Sequence, residues 1–273
     1  NKRNYERLTD HIGLLPLVLV SPADSALIGD GSDERRRFMD SIIAQYDRQY
    51  LLHLLQYNNA LKQRNALLKA DEHPDTSMLE IFETVMVEHA AYIYDRRNAF
   101  TAQFVPRFQH FYDLIADHKE HVGLAYESQL HERQLDEALR RTRERDIMLG
   151  WTSQGIHKDD INMTLGEWPV KRIASQGQQK TYIIAMKLAQ YDLLGSVLDV
   201  KPLLLLDDLF DKLDAERMKR ILLLVSSDEF GQIFITDTDR SHLQETLGMM
   251  GSEHRIFNVS NGIITPEHLT LTQ

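Results

Sequence analysis

The stretch Leu203-Leu-Leu-Leu-Asp-Asp208 decides the fold of this 273-residue chain. Four consecutive leucines predict a buried strand of the kind found in parallel sheets. The carboxyl ends of such strands face the crevice where α/β sheets bind ligands. One of the two carboxylates suits Mg²⁺, and the other suits an attacking water. The doublet fits a plain loop start or a helix cap equally well, so it does not separate the two interpretations by itself.

The residues after this strand continue an α/β pattern. Asp214 suits the N-cap of a helix that reaches about Val225, residues 232–236 predict another strand, and Asp239 caps a further predicted helix. Alternating strands and helices predict a mostly parallel sheet covered by helices. Near the end of the chain, Asn261-Gly262 separates two short apolar runs and predicts a type I′ hairpin.

A predicted helix over residues 177–194 precedes the leucine strand, and its start is the second candidate site. The segment Ala174-Ser-Gln-Gly-Gln-Gln-Lys-Thr181 offers a hydroxyl and free backbone N–H groups where the helix dipole favours an anion such as phosphate. Ser and Gly are also ordinary residues at helix starts. The segment is not a P-loop, because Gln179 precedes Lys180 where the motif needs Gly. No other stretch of the chain has that spacing.

Residues 34–149 have a mainly helical pattern. Residues 34–69 contain neither Gly nor Pro and carry an apolar stripe, which predicts one long helix. A second helical pattern starts at Ser77 and is expected to kink or stop at Pro106, so the two are expected to pair as a hairpin. Residues 131–149 predict a charged helix with no net charge, which indicates a solvated arm. The remaining predicted strands cover residues 14–20, 121–128, 161–165 and 170–174.

The composition of the chain excludes several classes of protein. The net charge of -10 argues against a surface that is basic all over, although a local basic patch remains compatible with it. The absence of cysteine excludes a disulfide scaffold and a thiolate metal site, and the 12 histidines show no zinc-binding spacing. The longest apolar stretch falls far short of the roughly 18 residues that span a bilayer. These features predict a soluble, cytoplasmic protein.

Taken in order, the motifs resemble those of ABC-type ATPases. Ser175-Gln-Gly-Gln-Gln179 resembles the signature motif, the leucine strand with Asp207 and Asp208 resembles Walker B, and Leu213-Asp214 resembles the D-loop. Four further segments resemble the RecF family of SMC-like ATPases, and the similarity runs from Leu8 to about Ile264. These segments are Ser21-Pro-Ala-Asp24, Glu34-Arg-Arg-Arg-Phe-Met-Asp40, Leu61-Lys-Gln-Arg-Asn65 and Gly155-Ile-His-Lys-Asp159.

The resemblance implies an α/β fold in which an ABC-type ATPase head, with a mostly parallel sheet, carries an inserted, mainly helical arm lobe. Residues 1–33 would end an N-terminal head segment, and residues 34–149 would form the arm lobe. Residues 150–273 would form the C-terminal half of the head, with the signature, Walker B and D-loop.

The implied function is DNA replication and repair, with gap repair and recombinase loading driven by ATP-dependent dimerisation on DNA. The implied cofactors are ATP and Mg²⁺. The implied partners are DNA at single-strand to double-strand boundaries, RecR, RecO and a second copy of the chain, with no membrane.

The resemblance also assigns roles to residues. Asp207 would coordinate Mg²⁺, and Asp208 would take the position of the catalytic carboxylate. The signature residues would bind the ATP held by the other subunit, with contacts to its γ-phosphate from three of them, and Asp214 would lie near the same interface. The ATP-binding residues of the signature are Ser175, Gln176, Gly177 and Gln178, of which all but Gln176 would make the γ-phosphate contacts.

Departures from the family pattern qualify these roles. A P-loop is expected roughly a hundred residues before the segment at Ser21, and the chain starts at Asn1, so we expect a fragment that by itself neither binds ATP tightly nor hydrolyses it. Thr236 or Asp237 stands where many ABC ATPases have a switch histidine. Asp208 is shorter than the usual Glu, which predicts slow turnover.

Two other classes of function stay open at this point. One is a non-enzymatic module whose helical lobe binds a partner protein, with the α/β part as scaffold. The other is a metal-dependent nuclease or phosphatase that uses Asp207 and Asp208 directly.

Three upstream motifs also have structural interpretations. Arg35, Arg36 and Arg37 splay around a helix by about 200° and cannot all face one phosphate, so at least one is expected to pair with a nearby acid: Asp33, Glu34 or Asp40. Lys62 and Arg64 suit either contact with DNA or a place beside the helix hairpin, and the structural role is favoured. No mechanism is evident for the His157-Lys158-Asp159 motif.

Overall fold

The computed structural model describes residues 12–70, 74–208, 213–238 and 255–266. Its α-helices are α1 (Ala26–Gly29), α2 (Ser32–Tyr46), α3 (Arg48–Ala70), α4 (Thr76–Ala116), α5 (Leu135–Leu149), α6 (Val170–Ile173), α7 (Gln176–Leu198) and α8 (Ala215–Val225). Its strands are β1 (Leu17–Val20), β2 (Val122–Glu127), β3 (Asp160–Leu165), β4 (Trp168–Pro169), β5 (Leu203–Asp207), β6 (Ile233–Thr236), β7 (Phe257–Ser260) and β8 (Ile263–Pro266). Short 3₁₀ turns lie at Pro22–Ser25, Gln129–His131 and Ile156–Lys158.

The leucine strand is β5, the middle strand of a three-stranded parallel sheet in the order β1-β5-β6. Leu204 and Leu206 are buried in the core, whereas the alternate Leu203 and Leu205 are only half-buried. One face of the sheet is therefore more completely covered than the other by the described residues. The predicted α/β fold with a parallel sheet and a large helical part is confirmed.

Helices α3 and α4 form the predicted hairpin. They run antiparallel, because Tyr50 near the start of α3 contacts Arg97 of α4, while Arg64 near its end contacts Glu83. The apolar stripe of α4 continues beyond the hairpin, where Phe108 packs against Tyr182 of α7 with ring centres 4.6 Å apart. Helix α4 therefore joins the helical region to the helix that precedes β5.

The prediction of one helix over residues 34–69 was wrong, because the helix is interrupted at Asp47. The backbone of Asp47 leaves the helical region, with φ -121° and ψ 94°. Its carboxylate accepts a hydrogen bond from the Tyr50 N–H at 2.9 Å and another from the Tyr92 hydroxyl. Asp47 therefore acts as the N-cap of α3, and this local bond replaces a continuous helical ladder.

Pro106 does not stop α4, which continues to Ala116. Proline removes one helical hydrogen bond and costs about 3 kcal/mol inside a helix. Phe104 and Phe108 lie on either side of Pro106 and are fully buried. Burial of aromatic side chains before and after the proline favours a helix that passes through it.

The structure differs from two further predictions. Residues 170–173 form a helical turn rather than a strand, because the Ala174 N–H donates to the Val170 carbonyl directly after the short strand β4. The charged helix α5 is not entirely a solvated arm, since Asp146 is completely buried and Arg143 pairs with Glu83.

The smaller sheets follow the predictions more closely. Strands β2, β3 and β4 form an antiparallel sheet. Strands β7 and β8 form the predicted hairpin, whose turn residues Asn261 and Gly262 both have positive φ, as a type I′ turn requires. The helix predicted after Asp239 lies outside the described residues. No helix among those described is long and apolar enough to cross a membrane.

Candidate functional site

The two acidic residues lie at the carboxyl end of β5, with Asp207 exposed and Asp208 half-buried. The hydroxyl of Thr236, at the end of β6, donates to Asp207 Oδ1 at 2.5 Å. Within the described part of the chain, Asp207 Oδ2 has no hydrogen-bond partner. One oxygen of this exposed carboxylate is thus oriented by the neighbouring strand.

Asp208 has a left-handed backbone, with φ 50°. This conformation is uncommon for a residue other than Gly. It is held by two backbone contacts: the Asp208 N–H donates to the Thr236 carbonyl at 3.3 Å, and Lys180 Nζ donates to the Asp208 carbonyl at 2.9 Å. Lys180 belongs to α7, so the helix that begins at the second candidate site also holds the end of β5.

Helix α7 begins with a capping box. The Ser175 hydroxyl accepts from the Gln178 N–H at 3.2 Å, and the Gln178 side-chain oxygen accepts from the Ser175 N–H at 2.9 Å. Ser175 and Gln176 are exposed, whereas Gly177 is half-buried. The cap explains why Ser and Gln stand three residues apart here, and it engages the Ser175 N–H and the Gln178 N–H within the chain.

Asp214 caps α8 as predicted. Its side chain accepts a hydrogen bond from the Arg217 N–H at 2.9 Å and also pairs with the Arg217 guanidinium at 3.3 Å. The same guanidinium donates to the Thr181 hydroxyl of α7 at 3.0 Å. Arg217 therefore ties the start of α8 to the first turns of α7.

Glu120 joins both segments to the end of the helical region. It accepts hydrogen bonds from the Tyr112 hydroxyl, from Gln178 Nε2 at 3.1 Å and from Arg217 at 2.7 Å. Burial opposes its charge, but these hydrogen bonds and the Arg217 guanidinium together lower the pKa of the Glu120 carboxyl. A single charged carboxylate thus holds three parts of the chain in one arrangement.

The sequence reasoning did not find Glu120 or Arg217. Glu120 lies between α4 and β2 without a motif around it, and Arg217 is 97 positions away. Arg217 stands three residues after a predicted cap, which is a signal for a local contact only. Contacts over such separations depend on the tertiary fold.

The three arginines at the start of α2 are used in ion pairs, as expected for at least one of them. Arg36 pairs with Asp33, and Arg37 pairs with Glu34 at 2.5 Å. Arg35 binds both carboxylate oxygens of Asp160.

The structural role favoured for Arg64 is also confirmed. Its guanidinium is completely buried and pairs with Glu83 and Asp146, each at 2.9 Å. Lys62 is exposed on α3, and its structural role stays a prediction.

The motif His157-Lys158-Asp159 acquires a structural explanation. His157 Nδ1 lies 2.8 Å from the Tyr57 hydroxyl, and Nε2 lies 3.0 Å from the Thr152 carbonyl. Because that carbonyl can only accept, Nε2 carries the proton and Nδ1 accepts from Tyr57. Burial, together with the nearby cations, lowers the pKa of His157 to about 4.

Asp159 and Gly155 complete this cluster. Asp159 is buried, pairs with Arg97 at 2.6 Å and accepts from the Tyr126 hydroxyl at 2.5 Å. Gly155 has φ 128°, and a Cβ there would lie 2.4 Å from the Tyr57 hydroxyl. Both the backbone conformation and the close approach of Tyr57 require glycine.

In the portion of the chain that the structure describes, no group of three or more His, Asp or Glu side chains is arranged to hold a metal ion.

Comparisons with known proteins agree on one family. The chain is 52% identical over 264 residues to the DNA replication and repair protein RecF of Bacteroides thetaiotaomicron, covering 97% of this chain and 72% of that protein. It is 50% identical over 266 residues to RecF of Phocaeicola vulgatus, with 97% and 72% covered. No family model matches the chain.

Solved structures agree with the sequences. The recombination mediator protein RecF-ATPrS of the RecFOR pathway superimposes with a TM-score of 0.80 at 28% identity, over 96% of this chain and 70% of that one. A RecF-ATP structure from the same pathway gives 0.78 at 26% identity, over 94% and 69%. The expected head fold with its helical region is therefore shown.

Proposed function

Because this chain belongs to the RecF family, we propose that it acts in DNA replication and repair as an ATP-dependent DNA-binding protein. The identity to RecF proteins along nearly the whole chain carries this proposal. The alternative of a non-enzymatic helical interaction module is not favoured, because the relatives that share this identity are named for DNA replication and repair.

In this proposal Asp207 holds Mg²⁺. Its exposed carboxylate is a hard oxygen donor, and the Thr236 hydroxyl fixes one oxygen while leaving the other available. When bound, Mg²⁺ neutralises the charge of the ATP phosphates. The contribution of the chain itself is to keep the Asp207 carboxylate at the end of a strand that is paired on both sides.

Asp208 takes the role of the general base. Its backbone is fixed by Thr236 and Lys180, and no hydrogen bond from the described residues engages its carboxylate. A carboxylate that has a fixed backbone and no local hydrogen bond is suited to accept a proton from an attacking water.

The start of α7 contacts the γ-phosphate of ATP held by a second subunit. Ser175, Gly177 and Gln178 make that contact, and Gln176 belongs to the same ATP-binding surface. This role is supported by the exposure of Ser175 and Gln176 at the start of a 23-residue helix. Asp214 lies near the same interface. It pairs with Arg217, which in turn donates a hydrogen bond to Thr181 in the second turn of α7.

The proposed organisation follows from these assignments. Residues 1–33 and 150–273 belong to the ATPase head, and residues 34–149 form the arm lobe. Two copies assemble on DNA with ATP between them, and RecR and RecO are the proposed protein partners in the RecFOR pathway, which the similar structures name.

The proposal is tested on the protein expressed from its native gene. Sedimentation with ATP and Mg²⁺ is expected to show a dimer that disappears on hydrolysis. Asp208→Asn is expected to prolong the ATP-bound dimer and to lower turnover by a factor on the order of 10²–10⁴, because the general base is lost.

Asp228→Asn is the matched control. It removes the same charge from an exposed residue that follows α8. It should leave turnover unchanged. Equal turnover in the Asp208→Asn protein and the wild type would remove Asp208 from the catalytic role, and a monomer under all nucleotide conditions would contradict the proposed dimer.

A further inference from the structure

A polar cleft of about 480 Å³ lies between α2, α3 and the turn Ile156–Lys158. This volume lies within the range of ligand-binding pockets. Cationic side chains outnumber acidic ones on its walls. The charged residues that line it are Arg36, Arg37, Arg97, Lys158, Asp33 and Asp40. None of the residues proposed to bind ATP contributes to this lining.

Two of the arginines form the fixed wall of the cleft. The Arg97 side chain is 2% exposed and pairs with Asp40 at 3.0 Å and with Asp159. Arg36 donates to the Asp159 carbonyl at 2.5 Å and pairs with Asp33. The acidic residues of the cleft are therefore already neutralised by cations of the chain.

The imidazole of His157 also lines the cleft but adds no charge near neutral pH. It is held between the Tyr57 hydroxyl and the Thr152 carbonyl, and burial disfavours its protonation. The net charge of the lining is therefore positive and constant around pH 7.

Two cations remain available at the rim. The Lys158 side chain is exposed, and its Nζ makes no hydrogen bond with the described residues. The Arg37 side chain is 73% exposed, and its single partner in this part of the chain is Glu34, on the same helix. Such exposed i,i+3 pairs contribute little energy, so Arg37 can exchange Glu34 for a stronger anion.

The surroundings of these cations favour a nucleic acid. The exposed amide of Asn58 lines the same cleft and has no hydrogen-bond partner among the described residues. Trp151 is 39% exposed, and Lys158 Nζ lies 4.2 Å from the centre of its ring. Cations beside an exposed aromatic ring are typical of surfaces that track a nucleic acid backbone.

We propose that this cleft binds a backbone phosphate of DNA through Lys158 and Arg37, with Asn58 as a further hydrogen-bond donor. The proposal rests on the DNA-binding function proposed above and names the surface that performs it. In a chain with a net charge of -10, this cleft is a place where a polyanion meets more cationic than acidic side chains.

The test compares two double variants of the native protein. Arg37→Gln/Lys158→Gln removes the two cations at the rim of the cleft. Arg141→Gln/Lys62→Gln is the control, because both residues are exposed, lie outside the cleft and change the net charge equally. Circular dichroism and thermal melting confirm that both variants fold.

DNA binding is measured by fluorescence anisotropy on single-stranded and duplex oligonucleotides at several salt concentrations. For the cleft variant we expect affinity at 0.1 M salt to fall on the order of ten- to a hundredfold, and the slope of log K against log salt to shrink by about 2. The control variant should keep the slope and affinity of the wild type.

Calorimetry with inorganic phosphate distinguishes DNA from a free anion. Phosphate binding that depends on Arg37 and Lys158, with equal DNA affinity in both double variants, would assign the cleft to a free anion and overturn the DNA assignment. Equal losses of DNA affinity in the two double variants would overturn the inference and leave the proposed function standing. A wild-type protein that binds no DNA would overturn both.

Discussion

His157 shows how a single half-buried side chain makes stability depend on pH. In the unfolded chain its pKa is near 6.5, whereas burial lowers it to about 4 in the folded protein. Between these values the unfolded state binds more protons, so stability falls as the pH drops from 6.5 towards 4. The loss from this residue is on the order of 3 kcal/mol.

Replacing His157 by Gln is expected to remove that part of the pH dependence. The measurement is urea unfolding at pH 7, 6, 5 and 4, with the slope of stability against pH smaller in His157→Gln than in the wild type. His121→Gln serves as control, because His121 is exposed and its side chain has no partner among the described residues. Identical slopes in His157→Gln and the wild type would show that the imidazole is not held neutral by the fold.

At the same scale, local sequence explains some residues and not others. Ser175 and Asp214 were predictable as caps, because a cap depends only on the next three residues. The roles of His157 and Asp159 were not predictable, since His157 meets Tyr57 across 100 positions and Asp159 meets Arg97 across 62. A motif whose partners are distant carries no local signal of its structural role.

Among the secondary-structure elements, the start of α3 depends on one side chain. Asp47→Ala removes the hydrogen bond to the Tyr50 N–H and the acceptor of the Tyr92 hydroxyl. We expect the free energy of unfolding to fall by about 1–2 kcal/mol, as for other N-caps. Chemical unfolding measures the loss.

Asp95→Ala is the matched substitution for that experiment, since Asp95 is exposed on α4. Its effect is expected to stay within about 0.5 kcal/mol. If both variants had the same stability, the break between α2 and α3 would not depend on the Asp47 cap.

The elements that were predicted well have strong and regular patterns. The four leucines of β5 and the Asn261-Gly262 turn each allow few alternatives. The strand prediction for residues 170–174 was wrong, because this short mixture of apolar and basic residues suits either a strand or a single helical turn. The helical turn follows directly after β4, a strand that is defined by its pairing with β3. This pairing is a tertiary contact that the local sequence does not reveal.

Over the whole molecule, the Glu120 carboxylate connects the helical region with the starts of α7 and α8. Glu120→Gln removes the charge that Arg217 and Gln178 bind. We expect the free energy of unfolding to fall by about 1–3 kcal/mol, because the Arg217 guanidinium loses its charged acceptor and binds a neutral amide more weakly. We also expect weaker ATP-dependent dimerisation of the native protein, because the start of α7 and the Asp214 cap lose their common support.

Unfolding and sedimentation together test this connection, with Glu132→Gln as the control for loss of an exposed acid. A stable Glu120→Gln protein that dimerises like the wild type would show that the two helix starts are positioned independently.

The parallel sheet also sets an order of events during synthesis. Leu17 of β1 pairs with Leu203 of β5, so about 180 residues must be translated between the two strands, which takes roughly ten to forty seconds at ribosomal rates. The α3–α4 hairpin needs only neighbouring sequence and can form meanwhile. Pairing of β1 with β5 is therefore a late event in synthesis, which follows the formation of the helical hairpin that lies between the two strands in the sequence.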